Sequence, residues 1–378
     1  MLNSFSNSRK GKQGFFLLLA ILASTTTALA RQDPLRVGFI CQSPPDNPFW
    51  NQVVTVMQAV ADDLDIDLVI KYAHTTNSYT FKRLGNRLLD SDPKLDYLLT
   101  KYLASITAEH IQHAAKRGTR VFVFNADIPQ SDYELVGRRP RETYSNWIGH
   151  MLPNDRQAGY DLATALINRA RQIGDTGKEG KIDMLAVDSH FESTVGTNRL
   201  EGLNEKAAEA SDVVLKHVET AGWEVDALYE EMVKTLRQNN YTNVFWSPDE
   251  AMAWAAVQAA EHIGKTPGKD VLIGGFDWNT KSIEAIADGR ITASMFGHFL
   301  EGAWALILVH DYHYGFDFAD DPGVRISTPL SIINQDNYQQ YKALFVKDYW
   351  DKIDFRKYSK KYNPELKSYN FSISQFLE

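Results

Sequence analysis

The sequence has almost no cysteine and, after its first thirty residues, no long apolar run. Its single cysteine, Cys41, cannot form an intramolecular disulfide, so disulfide bonds do not stabilise the fold. No later stretch approaches the roughly 20 apolar residues that a membrane-spanning helix requires. Common catalytic motifs are missing as well: Gly-x-Ser-x-Gly, a glycine-rich phosphate loop ending in Lys-Ser/Thr, and His-Glu-x-x-His. An enzyme is therefore the least favoured class, and we predict that the protein is not one.

The first thirty residues have the pattern of a cleavable signal peptide. Residues 9–12 carry three positive charges, residues 15–23 are apolar, and Ala28-Leu29-Ala30 provides the small residues of a cleavage site. This pattern predicts a mature chain that starts at Arg31 and is located in the periplasm; an uncleaved N-terminal anchor is the alternative. Cys41 lies past the cleavage site in a strand-like run, so we interpret it as a packing residue and not as a lipid attachment point.

The chain is acidic and long enough for two lobes. Removing the leader removes three positive charges and no negative ones, which takes the formal charge from −8 to −11. This balance argues against nucleic acid or an anionic membrane surface as a partner. The remaining 348 residues exceed what one hydrophobic core usually serves.

Short apolar runs alternate with amphipathic stretches through the first part of the chain. Strands are predicted over 35–41, 66–72, 96–100 and 120–125, and helices over 51–64, 79–89 and 108–117. A polar stretch over 127–146 interrupts this alternation. Strands and helices that alternate in this way are typical of a parallel sheet covered by helices on both faces.

The same alternation starts again after residue 146. Strands are predicted over 182–187, 213–218, 243–246 and 271–276, and helices over 162–171, 198–210, 226–237 and 251–263. Residues 282–288 and 291–295 are expected to close this second sheet. The sequence therefore predicts an α/β fold of two similar doubly wound lobes. Open α/β sheets bind ligands beyond the carboxyl ends of their strands, so we expect a cleft between the lobes.

Five short motifs occur in the chain in a fixed order. They are Asn47-Pro48-Phe49-Trp50, Gly149-His150-Met151-Leu152-Pro153-Asn154-Asp155, Arg199-Leu200-Glu201-Gly202, Asp249-Glu250-Ala251-Met252-Ala253 and Gly274-Gly275-Phe276-Asp277. Together they resemble the ribose- and galactose-binding type of periplasmic binding proteins, which are the sugar-binding components of ABC transporters. The resemblance covers about residues 35 to 315.

The resemblance implies two lobes joined by a three-strand hinge. Residues 31–150 and about 298–325 would form the N-terminal lobe, and residues 151–297 and about 326–345 the C-terminal lobe. Residues 346–378 extend beyond the closing strand of the family and form a C-terminal extension.

The resemblance also implies a set of ligand-binding residues. These are Asn47, Phe49, Trp50, Asn125, Thr197 or its neighbours, Trp223, Asp249, Asp277, and Gly297 or His298. Phe191 is added because its ring, in the loop after the first strand of the second lobe, could stack on a ligand. We expect Trp50 and Trp223 to serve the ligand more than the core, so their loss would leave the thermal stability of the free protein nearly unchanged. Phe49 has core packing as its alternative role.

Two positions depart from the family pattern. Ala126 stands where the family has an arginine, and Asp249 stands where it has an asparagine. Both changes remove positive character, so the site favours ligands rich in hydroxyl or ammonium donors over phosphates or carboxylates, unless Lys101 reaches in. We also expect Asp249 and Asp277 to raise each other's pKa. Helix capping is the alternative role of both aspartates.

Histidine pairs at 110 and 113 and at 310 and 313 share helix faces, but no third ligand has a suitable spacing. We therefore predict no metal and no cofactor.

The leading hypothesis is a monomeric periplasmic receptor that captures a sugar or polyol by hinge closure and delivers it to an inner-membrane ABC transporter. A ligand-sensing receptor that docks on a membrane kinase or cyclase is the alternative. The C-terminal extension and the arginine-rich residues 138–141 keep this alternative open, because both add surface that ligand capture does not need.

Overall fold

The computed structural model describes residues 34–73, 77–174, 177–189, 194–220, 225–277, 279–346 and 348–377. The expected signal peptide lies outside these residues. Within them, no helix combines the length and the apolar character needed to cross a membrane.

Strands and helices alternate through the first part of the chain. The strands are β1 (Leu35–Cys41), β2 (Ile66–Tyr72), β3 (Tyr97–Lys101), β4 (Arg120–Phe124) and β5 (Trp147–Pro153). The helices between them are α1 (Pro48–Leu64), α2 (Ser78–Leu89), α3 (Ala104–Arg117) and the short α4 (Tyr133–Val136).

The second part of the chain repeats this alternation. Its strands are β6 (Ile182–Ser189), β7 (Val213–Thr220), β8 (Val244–Trp246), β9 (Leu272–Phe276) and β10 (Ala293–Phe296). Its helices are α5 (Asp155–Ile173), α6 (Thr194–Glu209), α7 (Val225–Gln238), α8 (Glu250–His262) and α9 (Thr280–Ala287). Four further elements close the fold: α10 (Glu301–His313), β11 (Arg325–Thr328), β12 (Ser331–Asn334) and α11 (Tyr338–Tyr341).

The strands form two six-stranded sheets of matching topology. The first has the order β11-β5-β4-β3-β1-β2 and the second β12-β10-β9-β8-β6-β7. All neighbouring strands run parallel except β10 and β12, which are antiparallel. In the first sheet, α1 and α10 pack together on one face and α2 and α3 on the other. The prediction of two doubly wound α/β lobes is therefore confirmed.

Three crossings join the two sheets, as expected for a three-strand hinge. They follow β5, β10 and β11. Both β5 and β11 belong to the first sheet, so the chain leaves that sheet after Pro153 and again after Thr328. The boundaries expected after residues 150 and 325 lie a few residues before these strand ends, because the motifs mark the crossings but do not reveal how far a strand stays paired.

Helix α10 shows no amphipathic pattern because it is buried on every face. All eleven residues from Glu301 to Asp311 are buried. The outer face is covered by the C-terminal extension. There Trp304 stacks on Phe376 with ring centroids 5.6 Å apart and contacts Tyr358 edge-on at 5.7 Å.

Asp311 attaches the extension to α10. This fully buried carboxylate accepts hydrogen bonds from the Ser359 hydroxyl, the Lys360 backbone N–H at 2.6 Å and the Tyr369 hydroxyl at 2.8 Å. Burial raises the pKa of Asp311, but the hydrogen bonds, including one from His310, outweigh burial and hold the pKa below its usual value. The part of the extension from Tyr358 to Phe376 is therefore packed into the core of the first lobe.

We predict that Trp304→Ala lowers the free energy of unfolding by about 3–5 kcal/mol, because it opens a cavity between α10 and the extension. Trp254→Ala is the matched control, since Trp254 is only partly buried beside Arg290 and should cost much less. Urea denaturation followed by circular dichroism measures both. Equal losses in the two variants would show that the extension adds little to the core.

Candidate functional site

A cavity of about 330 Å³ lies between the two sheets at the carboxyl ends of their strands. Its first wall contains Gln42, Ser43, Asn47, Phe49, Trp50, Lys101 and Asn125. Its second wall contains Val195, Arg199, Asp249, Ala251 and Asp277, with His298 from the crossing after β10. The location agrees with the general position of ligand sites in open α/β sheets, and the volume lies in the usual range of about 300–1,000 Å³.

Seven of the ten expected site residues line this cavity. They are Asn47, Phe49, Trp50, Asn125, Asp249, Asp277 and His298. Thr197 does not; it is exposed on α6, and its neighbours Val195 and Arg199 line the cavity instead. Phe191 and Trp223 lie outside the described residues.

The N-terminus of α1 forms the aromatic part of the first wall. Asn47 caps the helix by accepting a hydrogen bond from the Trp50 backbone N–H at 3.0 Å. Phe49 is half-buried and stacks on the His298 ring, with centroids 4.8 Å apart. Trp50 is only 4% exposed and packs against Phe39. The Trp50 ring thus fills the core as well as the cavity wall, which argues against the expectation that its loss leaves the thermal stability nearly unchanged.

Two cavity residues with left-handed backbone conformations occupy equivalent positions in the two lobes. Asn125 follows β4 with φ 74°, and Asp277 follows β9 with φ 66°. Strands β4 and β9 occupy equivalent places in the two sheets. Asparagine and aspartate tolerate this conformation better than other non-glycine residues, and such backbone strain is concentrated at functional sites. The two lobes thus use the same local geometry to present a polar side chain to the cavity.

Arg199 is a buried cation that the assignment of site residues missed. It is 2% exposed, donates from Nε to Asp155 Oδ1 at 2.7 Å and from Nη1 to the Pro248 carbonyl at 2.7 Å, and lies 4.1 Å from the centre of the Phe276 ring. A signal was present in the sequence, because Arg199 lies on the same helix face as the apolar Val195 and Leu203. An arginine on a buried face nearly always has a specific partner.

Asp277 and His298 form a close pair at the second wall. His298 Nε2 lies 2.8 Å from Asp277 Oδ1. Burial raises the pKa of Asp277, but the charge and hydrogen bond of His298 outweigh burial and hold the pKa below its usual value. Asp277 does not cap the following helix, because Asn279 does so by accepting from the backbone of Lys281 and Ser282. Its carboxylate is therefore directed to the cavity and the histidine.

Asp249 has both of the roles considered for it. It caps α8 by accepting from the Met252 N–H at 2.7 Å, and it lines the cavity. Burial, with a contribution from the charge of Asp277, raises the pKa of Asp249 to about 7. Burial and the charges of Asp277 and Asp249 raise the pKa of Glu250 to about 7 as well. The expected mutual rise in pKa is thus correct for Asp249 and wrong for Asp277, because His298 compensates the charge of Asp277.

The cavity combines aromatic faces with both hydrogen-bond acceptors and cations. Asp249 and Asp277 supply carboxylate oxygens, while Lys101, 8% exposed, is part of the opposite wall. The sequence disfavours anionic ligands unless Lys101 reaches into the site. Lys101 does line the cavity, so an anionic ligand has to be tested by experiment. Among the described residues, no group of three His, Cys, Asp or Glu side chains could hold a metal ion.

Two sheets of equal topology, three crossings and a polar cavity between the strand ends define the class of two-lobed binding proteins. A family described as a periplasmic binding protein domain matches residues 37–312. The chain belongs to this family. A search of curated proteins gives no match.

Solved structures agree with this assignment. A periplasmic sugar-binding protein from Pseudomonas fluorescens is 25% identical, with a TM-score of 0.81 over 91% of this chain and 100% of its own. The arabinose-binding component of a Shewanella ABC transporter is 20% identical, with a TM-score of 0.67 over 82% of this chain and 97% of its own. A D-allose-bound solute-binding protein from Actinobacillus succinogenes is 18% identical, with a TM-score of 0.68 over 82% of this chain and 100% of its own.

The carboxyl signal of Asp249 should titrate with a pKa of about 7, far above the usual value for aspartate. In Asp277→Asn the pKa of Asp249 should fall, because a neighbouring negative charge is removed. Carbon-detected NMR of the side-chain carboxyls during a pH titration measures both values. Asp270→Asn, an exposed substitution in the same lobe, should leave the pKa of Asp249 unchanged. A titration of Asp249 near pH 4 in the wild type would contradict this description of the site.

Proposed function

We propose that the protein captures a sugar or polyol in this cavity, in the periplasm, and delivers it to an inner-membrane ABC transporter. The observation that carries the proposal is the composition of the cavity. Phe49 contributes an aromatic ring from one lobe, stacked on His298, while Asp249 and Asp277 contribute carboxylate oxygens from the other.

This arrangement suits a ring of carbon atoms with a hydroxylated rim. The C–H faces of a sugar pack on aromatic rings, and its hydroxyl groups donate to carboxylates in charge-assisted hydrogen bonds. A cavity of about 330 Å³ has room for such a molecule. Arg199 and Lys101 can donate to the oxygens that remain.

Ligands of the structural relatives are of the same chemical kind. The Shewanella protein is described with L-arabinofuranose bound, the Actinobacillus protein with D-allose, and a third, from Bacillus halodurans, with myo-inositol. All three ligands are small, neutral and rich in hydroxyl groups. Their variety shows why the fold alone does not select one of them.

The position of the site supports hinge closure. A ligand that contacts Phe49 in the first lobe and Asp277 in the second stabilises the form in which the two walls are close, in proportion to its differential affinity for that form. The three crossings are the places where the backbone absorbs the motion.

We expect at least one of L-arabinose, D-allose, myo-inositol and D-galactose to bind in isothermal titration calorimetry. Asp277→Asn should weaken this binding by about 1.5–3 kcal/mol, or tenfold and more, because it removes a charged acceptor. Asparagine tolerates the left-handed backbone at this position, so the variant should fold. Asp270→Asn, on the exposed surface of the same lobe, is the control and should bind normally.

D-glucose 6-phosphate is the anionic probe in the same experiment. Tight binding of this compound, undiminished in Asp277→Asn and lost in Lys101→Met, would contradict the neutral-sugar proposal. Delivery is tested separately by uptake of the radiolabelled ligand in a strain that lacks the gene. Normal uptake together with loss of a ligand-induced response would favour the sensor role.

Small-angle scattering tests closure. The radius of gyration of the protein should decrease when saturating ligand is added, because the lobes move together. An unchanged radius with the ligand demonstrably bound would exclude a hinge mechanism.

A further inference from the structure

The segment after β12 begins on the second lobe. We call residues 338–346 and 348–377 the C-terminal tail. Near its start, the Tyr341 ring packs edge-on against Phe296, the last residue of β10, with centroids 4.8 Å apart. Tyr341 is 6% exposed, and its helix, α11, contacts α9 of the same lobe. The first part of the tail is therefore fixed to the second lobe.

The remainder of the tail is fixed to the first lobe. The Phe355 backbone N–H donates to Asp63 of α1 at 2.6 Å. Asp311 and Trp304, both in α10, hold the residues that follow, through the hydrogen bonds and ring contacts described above. The tail thus passes from the second lobe to the first and makes a fourth connection between them.

Between these two attachments, the tail lies against the hinge itself. Phe299, in the crossing after β10, packs between Phe345 and Trp350 of the tail, with centroids 6.5 and 5.8 Å away. A methyl group placed on Gly297 would lie 3.9 Å from Ile373 and 3.9 Å from the Pro329 carbonyl oxygen. The tail therefore contacts the second crossing directly, through Phe299.

We propose that the C-terminal tail is a hinge brace that holds the two lobes in their present arrangement and sets the balance between open and closed forms. Rotation about a hinge requires changes in the backbone dihedral angles of the crossings. Gly297, with φ 120°, is one of the positions that can absorb such a change. Because the tail is attached on both sides, rotation must break or slide the aromatic contacts of Phe299.

The brace acts on the hinge and not on the ligand. No described residue of the tail lines the cavity. The Shewanella and Actinobacillus proteins match 97% and 100% of their own length within 82% of this chain, so they bind sugars with fewer residues than this chain has. The Pseudomonas protein matches 91% of this chain and is the natural comparison for a braced form.

The test measures the distance between the lobes in the ligand-free protein. Spin labels are attached to the cysteines of Tyr79→Cys in α2 and Lys234→Cys in α7, and pulsed electron paramagnetic resonance measures the distance between them. Both positions are exposed. Native Cys41 does not interfere, because it is buried and burial raises the pKa of its thiol to about 11. The inference of a hinge brace rests on the hinge motion of the proposed function, but this measurement needs no ligand.

Phe345→Ala removes a ring that contacts Phe299, and Ile373→Ala shortens the side chain that lies beside Gly297. We expect the population at long distances to increase at least twofold in either variant. Phe371→Ala is the control, because that ring packs on Trp304 and Tyr369 within the first lobe and should leave the distribution unchanged. Ile373→Ala is the milder change and decides the test if Phe345→Ala does not fold.

Two outcomes would overturn the brace. One is an unchanged distribution in folded Phe345→Ala or Ile373→Ala protein. The other is an equal shift in Phe371→Ala, which would show that the tail acts only through the stability of the first lobe. Failure of the proposed function is distinguishable, because it would appear as absent sugar binding or absent ligand-induced compaction in the wild type, whatever the tail variants do.

Discussion

The buried ion pair of Arg199 and Asp155 connects the cavity to the hinge. Arg199 lines the cavity from α6, whereas Asp155 is the first residue of α5, directly after the crossing that follows β5. Arg199 Nη2 also lies 3.3 Å from Nε2 of His298, which belongs to the crossing after β10. Loss of one partner from a buried pair typically costs about 3–5 kcal/mol, since the other charge stays buried and unpaired. The position of the guanidinium is therefore tied to two of the three crossings, so a ligand that contacts it can influence the hinge.

The acceptor groups around this pair are fixed by the ends of helices. Asn47 and Asp249 cap α1 and α8 while lining opposite walls of the cavity, so capping holds their side-chain oxygens in place. Asp277 is free of capping because Asn279 takes that role, and it pairs with His298 instead. A site whose polar atoms are held in advance loses less entropy when it binds a ligand. The C-terminal tail supports the same arrangement from behind, through its contacts with Phe299 and α10.

The sequence predicted the two lobes because parallel strands buried on both faces appear as continuous apolar runs. The resemblance to sugar-binding proteins predicted seven cavity residues, since loops after strands keep their place in the fold. Helix α10 was given no bounds because it is buried on every face and so lacks an amphipathic pattern. Strand β5 was missed because its polar His150 lies within the motif interpreted as a crossing. Trp50 and Arg199 show a further limit of prediction from sequence. Whether an aromatic ring fills the core, or whether a cation lines the cavity, depends on packing between segments that are distant in the chain. The role of the tail depends on the same long-range contacts.

The central claim is that the cavity between the lobes holds a hydroxyl-rich neutral ring. Mass spectrometry of the small molecules released when freshly purified protein is denatured tests it most directly. The account predicts a monosaccharide or cyclic polyol in amounts close to one per chain, and its absence from Asp277→Asn protein prepared in the same way. Release of a phosphorylated or carboxylated compound, retained equally by Asp277→Asn, would contradict it.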